Sequence, residues 1–378
     1  MRSEIRSLTG LRGLAACWVM VGHYMGELPM SPLLHTLISH MYVAVDLFMI
    51  LSGFVLAMTY EARFAAPFSA SVYAQFLQHR LARLWPLYAL VTLGCLLLME
   101  AGIGDNCSTR TPLAIALNFL MMQAWWWPDD SISGTGWTLS IEWGVNLLFP
   151  LFVMLLLHAS KPRAMLVMAA ALVVLITDAL LQGQTAYAKP MPGGINWYYA
   201  PDSLIRCTVE FMLGIYLWRL RVRAEAMRFL GRDATQALLL GLMAICTAFP
   251  ALDLLFVGLA GALVVGCSYQ ESRLSGWFGA ALPRWLGAIS FSVYLLHLMV
   301  LPLRAVVEGW WTGIAPVDFF FISSPTEAMM CIAIVLGLST LSYRGIERPM
   351  QRWLRGLDPA RIAIRWRSPP VCRPSDPG

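Results

Sequence analysis

The chain has 378 residues, 58% of them hydrophobic and 13% charged, with a mean hydropathy of +0.64 and a net charge of +5. Soluble globular chains carry about 25% charged residues, so this composition excludes an ordinary soluble domain and indicates an all-α, polytopic membrane bundle. A balance of +5 suits the orientation of a membrane chain; it is no signature of a nucleic-acid partner. The eight cysteines form no CxxC pair. Cys17, Cys95, Cys207, Cys246, Cys267 and Cys331 sit in apolar blocks as small hydrophobes, which indicates neither a disulfide framework nor a metal site.

Taken in chain order, ten segments have the apolar length to span a bilayer: 11–28, 41–60, 84–101, 139–158, 164–182, 203–219, 235–250, 253–270, 285–305 and 326–343. Leu14-Ala15-Ala16-Cys17 resembles a lipoprotein cleavage box, but Arg12 interrupts the apolar core a signal peptide needs, so the first segment is read as uncleaved. An eleventh apolar stretch, 112–125, is short and runs into Trp125-Trp126-Trp127-Pro128. Arg2, Arg6 and Arg12, then Arg63, Arg80 and Arg83, then Arg221, Arg223, Arg228 and Arg232, and finally Arg352 onward all claim the cytoplasmic side. Those claims agree only if 112–125 does not cross. The segment 112–138 is therefore expected to be re-entrant or interfacial, with Asp129-Asp130 outside, the tryptophans at headgroup level and both termini cytoplasmic. Residues 1–350 then form one membrane domain, and 351–378 a basic, Pro-rich tail expected to be disordered.

Ionisable residues inside such segments are costly and mark function by default. In "TGLRGLAACWVMVGHY" (9–24), Arg12 and His23 are eleven residues apart. That spacing returns to within about 20° of the same helix face, with a rise of roughly 16 Å. Arg12 is thereby expected at the inner interface, with His23 above it in the outer half. "VDLFMILSGF" places Asp46 at a similar depth to His23, and a His23–Asp46 pair is the economical expectation. In the same stretch Ser52-Gly53 permits close helix approach or passage of a slender ligand. "HRLARLWPLY" puts Arg80 and Arg83 one turn apart, a pattern suited to phosphate, although taken alone it reads first as lipid-headgroup contact and topology. "SGTGWTLSIEWGVNLLFP" offers Glu142 as a second partner for His23, after a Gly134-Thr135-Gly136 turn. Arg206 and Glu210 read as an i,i+4 ion pair. "FSVYLLHLMV" supplies a second intramembrane histidine, His297, and "YRGIERP" adds Arg344 and Arg348 to a basic inner floor.

At these residues the sequence resembles the acyltransferase-3 family of integral membrane O-acyltransferases, from about Leu8 to Pro349. The resemblance rests on the Arg12–His23 spacing, "FMILSGF", the Arg80–Arg83 pair, "WTLSIEW" and "SFSVYLLH", five landmarks in order. It implies ten or eleven helices, acetyl-CoA as donor, a sugar hydroxyl outside as acceptor, and His23 as essential base. The lone-domain form resembles enzymes acting on exopolysaccharide repeat units carried on a polyprenyl lipid. Catalytic candidates are thus His23, Asp46, Glu142 and His297. Donor-binding candidates are Arg12, Arg80, Arg83, Ser52, Gly53 and Arg344, with no metal. The main rival class is a proton-coupled transporter or lipid-linked sugar flippase, since buried His, Asp and Glu also make proton relays. A transporter has no need of arginines at one face only, and coenzyme A binding separates the two. A third class is a catalytically silent subunit of a glycan-synthesis complex, against which the intact Arg12 and His23 argue.

Overall fold

With no water to bond in a bilayer, a chain this apolar satisfies its backbone inside helices, and every regular element of the computed structural model is helical among the described residues. These are 4–26, 28–65, 68–103, 111–126, 131–181, 195, 202–223, 225–313 and 322–356. In chain order they are α1 Arg6–Met25, α2 Pro32–Ser39, α3 Ala44–Tyr60, α4 Ala70–Glu100, α5 Pro112–Phe119, α6 Gln123–Trp126, α7 Gly136–Phe152 and α8 Lys161–Leu181, then α9 Asp202–Arg223, α10 Asp233–Cys246, α11 Asp253–Tyr269, α12 Arg273–Phe278, α13 Ala281–Thr312, α14 Pro325–Ser342 and α15 Arg348–Gly356. The expectations for Asp129-Asp130 and for the tail beyond 356 lie outside the described residues.

Seven helices are long and apolar enough to span a membrane, and the molecule is a polytopic helical bundle. The other three of the ten expected segments are α1, of 20 residues but less apolar, α9, of 22 residues with several charges, and α10, of only 14. Between α4 and α7 the chain makes only α5 and α6, of 8 and 4 residues. At about 12 Å, α5 falls well short of a hydrocarbon core of about 30 Å, in line with a segment that does not cross. Trp125 is not a free headgroup anchor: its indole N–H donates to Ser140 O at 2.8 Å and its ring lies against Gly144 of α7.

Polar side chains close several helix starts. Ser69 accepts from Val72 N, and Ser324 accepts from Glu327 N at 3.3 Å while the Glu327 carboxylate takes Ser323 N at 2.7 Å, a reciprocal cap ahead of α14. Two helix pairs dominate the packing, α1 with α13 and α3 with α9. Small residues allow both. A Cβ on Gly13 would strike the backbone of Leu286 and Gly287, and one on Gly53 would strike Phe211 O. Gly53 therefore serves close helix approach, as membrane interfaces built on small residues do, and it does not border the cavity described below.

Candidate active site

A cavity of about 1140 Å³ runs along α3, which contributes Val45, Phe48, Ser52, Val55 and Thr59 to its wall. From Val45 to Tyr60 the helix rises about 22 Å. One end opens among Glu4, Glu61, Arg63, His158 and Arg223, so α1 begins, and α3, α7 and α9 end, on that same face. This gathers arginines of the 61–83 and 220–234 regions onto the face of the N-terminus.

Beyond Arg63 and Arg223 at the opening, Arg12, Arg80 and Arg83 stand on the wall. Arg80 is buried and already engaged: a guanidinium NH2 group bonds the Glu142 carboxylate, and its Nε donates to Asn146 Oδ1 at 3.2 Å. Ser52 Oγ donates to the same carboxylate at 3.2 Å. Arg12 gives one NH2 proton to Gly287 O at 2.7 Å, while its buried Nε has no partner among the described residues. Arg83 is half-buried on the wall with no hydrogen-bond partner among the described residues. The wall thus carries cationic donors beyond those Glu142 consumes, as an anionic ligand needs. Arg344 lies exposed in the π-helical turn Tyr343–Glu347, off the cavity wall.

The cavity's other end is bordered by Val45, Phe48, Thr138 and Tyr294. His297 is three residues, roughly 4.5 Å of rise, beyond Tyr294 on α13, and there it meets His23 of α1. His297 Nε2 lies 3.3 Å from His23 Nδ1, with ring centroids 5.0 Å apart. His23 Nδ1 is 2.9 Å from Val19 O, and His297 Nδ1 is 3.1 Å from Val293 O. A carbonyl only accepts, so the hydrogen-bond network assigns the proton of each neutral ring to Nδ1. His297 Nε2 then offers its lone pair to His23 Nδ1–H, and His23 Nε2 keeps a lone pair with no partner among the described residues. Tyr24 OH donates to the His297 carbonyl at 2.5 Å, tying α1 to α13 beside the pair.

The expected His23–Asp46 pair is not formed. Asp46 is fully buried and gives both oxygens to Arg206, Oδ1 to Nε at 2.7 Å and Oδ2 to an NH2 group at 2.8 Å. Arg206 also stands 3.6 Å from Glu210, so the i,i+4 pair exists and Asp46 is its third member. Glu142, the alternative partner of His23, belongs to Arg80 instead. Both carboxylates pair with a guanidinium, which is permanently charged where an imidazole is not; for the buried Asp46 the pairing is also bidentate. A spacing of i, i+4 from Glu142 to Asn146, facing Arg80, was a readable signal for the second cluster. Missed entirely were Tyr294, Thr138 and Phe48, which look like ordinary packing residues, and Arg63 and Arg223, which look like topology flanks.

A helical membrane bundle whose arginine-walled cavity leads from one face toward a buried imidazole pair has the layout of a membrane-embedded group-transfer protein. The chain belongs to the acyltransferase-3 family of membrane O-acyltransferases: the family model described as an acyltransferase domain matches residues 5–344. It is similar to the acyltransferase MdmB of Streptomyces mycarofaciens, 28% identical over 93% of this chain and 92% of that protein. It is also similar to the peptidoglycan O-acetyltransferase OatA of Listeria monocytogenes, 24% identical over 98% of this chain and 60% of that protein. The Bacillus subtilis protein YrhL is 24% identical over 82% of this chain, which spans 50% of YrhL's length. No solved structure matches the chain.

Proposed function

We propose that the protein moves an acetyl group from cytoplasmic acetyl-CoA to a sugar hydroxyl of an extracytoplasmic or lipid-linked glycan, and that the face on which α1 begins is cytoplasmic. The observation that carries this reading is the cavity itself. It opens among Arg63 and Arg223, passes Arg83 and the unpartnered Arg12 Nε, and reaches Tyr294, whose ring packs next to His297 of the His23–His297 pair. The positive-inside distribution supports the orientation, and the name of the Listeria relative supports a glycan acceptor. Among such glycans, our preferred acceptor is an exopolysaccharide repeat unit.

In this reading Arg12 and Arg83 hold the donor's phosphates, and the apolar wall along α3 takes its pantetheine arm. His23 Nε2 removes the proton of the sugar hydroxyl as the hydroxyl oxygen attacks the thioester carbonyl. The C–S bond breaks, the departing thiolate takes the proton back from the imidazolium, and the products are a sugar ester and free thiol. His297 orients His23 through Nδ1, and Arg80, neutralised by Glu142, supports the wall. The test is transfer of label from acetyl-labelled acetyl-CoA, added to inside-out membrane vesicles, into glycan or lipid-linked saccharide. Transfer is expected from the wild type and not from His23→Ala at equal protein level. Equal transfer by both would remove His23 from the chemistry.

A further inference from the structure

Two rings border the far part of the cavity, whose lining includes neither His23 nor His297. Phe48 of α3 and Tyr294 of α13 both border it, with centroids 5.9 Å apart and planes inclined by 70°. Tyr294 is fixed from several sides. Its phenol shares a hydrogen bond of 2.9 Å with Thr138, its carbonyl accepts from Thr135 Oγ1 at 3.1 Å, and its ring centroid is 5.9 Å from that of His297. The turn that supplies Thr135 and Thr138 is itself pressed onto α13. Gly134 has φ +64°, and a Cβ there would meet Leu298. Phe48 carries no such anchor. It is half-buried and packs against both hydrophobic clusters, the large one centred on α3 and α9 and the smaller one containing Met20, Tyr24 and Val293 around the histidines' helices. The ring pair thus borders the cavity next to the region of His23 and His297.

We propose that Phe48, braced against the fixed ring of Tyr294, sets the length of the acyl group the protein accepts. This rests on the reading of the cavity as the donor site. A donor held by its phosphates on the arginines presents its thioester at the far end of the cavity, and every carbon beyond the carbonyl must fit against these two rings. An acetyl group adds one methyl. A butyryl group adds two more methylenes against a wall whose Tyr294 half cannot retreat without breaking its bonds to the α7 turn. Forcing extra methylenes into a packed site is unfavourable, and a single methylene in such a pocket discriminates by about 10- to 200-fold.

The experiment measures thermal stabilisation of the purified full chain by coenzyme A, acetyl-CoA, propionyl-CoA and butyryl-CoA, for wild type, Phe48→Leu and Phe48→Ala. In wild type, butyryl-CoA is expected to bind at least tenfold more weakly than acetyl-CoA. Phe48→Ala is expected to shift that ratio toward butyryl-CoA by about tenfold, with Phe48→Leu in between and still readable if the alanine variant does not fold. Equal affinity for all three thioesters in wild type, or a ratio unmoved by either substitution, overturns the proposal while leaving the donor site standing. Absence of stabilisation by coenzyme A and by every thioester overturns the donor reading, and the proposal with it.

Discussion

His297 Nε2 stands 3.3 Å from His23 Nδ1, and each ring directs its own Nδ1 at the carbonyl four residues earlier in its helix. The two histidines are therefore not equivalent: among the described residues His23 has a nitrogen without a partner and His297 has none. General-base catalysis by a positioned side chain contributes typically 10²- to 10⁴-fold. His23→Ala and His23→Gln are both expected to lower the transfer rate by at least about 100-fold. His297→Gln, which retains a polar group able to accept from His23 Nδ1, is expected to cost less than His297→Ala, with the KM for donor unchanged in both. Initial rates of label transfer over a range of donor concentrations separate kcat from KM. A loss in His297→Gln equal to that in His23→Gln would make His297 a participant in the chemistry and not a positioning residue.

The arginines make a second prediction, about binding alone. A ligand at 100 times its Kd stabilises the protein that binds it by about 2.7 kcal/mol. Coenzyme A is expected to raise the thermal midpoint of wild type, and Arg83→Ala to abolish most of that rise, because Arg83 is a half-buried cation on the cavity wall. Arg344→Ala, exposed and off the wall, is expected to keep it. A thermal shift series on the purified chain decides the matter, and an undiminished response in Arg83→Ala would place the phosphates elsewhere.

The Asp46–Arg206–Glu210 cluster predicts an asymmetry in stability. Removing one partner of a buried pair costs about 3–5 kcal/mol because a charge is left uncompensated. Asp46→Ala still leaves Arg206 with Glu210 at 3.6 Å. Arg206→Ala leaves two carboxylates, both 0% exposed, with no cation between them. Arg206→Ala is thus expected to be the more destabilising, and Arg206→Ala with Asp46→Ala together to be milder than Arg206→Ala alone. Unfolding in detergent measures the three variants. If Asp46→Ala instead keeps wild-type stability and loses transfer, the cluster works in the chemistry and is not simply a brace between α3 and α9.

That cluster also shows where the sequence stops being informative. Seven of the ten expected spans were readable because membrane helices must be long and apolar, and the arginines singled out the stretch that forms only the short α5 and α6. Arg12 and His23 were readable as neighbours on one face because they share one helix with a fixed repeat. Arg206 and Glu210 were readable for the same reason. Asp46 was not, since its partner is on another helix, and the axial register between α3 and α9 is set by where Gly53 lets Phe211 O approach. Depth along the membrane made His23 and Asp46 look like partners. Azimuth around the bundle, which no single-helix pattern encodes, sent Asp46 to α9 and His23 to α13. Tyr294 and Phe48 were invisible for a simpler reason: an aromatic residue facing a cavity has the same sequence pattern as one facing a core.

Azimuth and approach can be tested together at Gly13. Its Cα lies so close to α13 that an added Cβ would meet the backbone of Leu286 and Gly287, atoms that cannot rotate away as a side chain would. Gly13→Ala must therefore move α1 outward from α13, and two interactions depend on that contact. Arg12 loses its 2.7 Å bond to Gly287 O close to the substitution, and His23, ten residues further on, loses its register with His297. Both chemistry and donor binding are expected to fall, transfer by at least about tenfold, although no polar side chain has been touched; overpacking of this kind costs roughly 1–3 kcal/mol in stability. Gly337 of α14 is the contrast. Nothing lies within 4 Å of where its Cβ would be, so Gly337→Ala is expected to transfer as wild type does, with equal or higher stability because alanine is the better helix former. Transfer rates and thermal midpoints of the two alanine variants, measured side by side, suffice. Full activity in Gly13→Ala would mean that the α1–α13 contact does not hold the histidine pair in register.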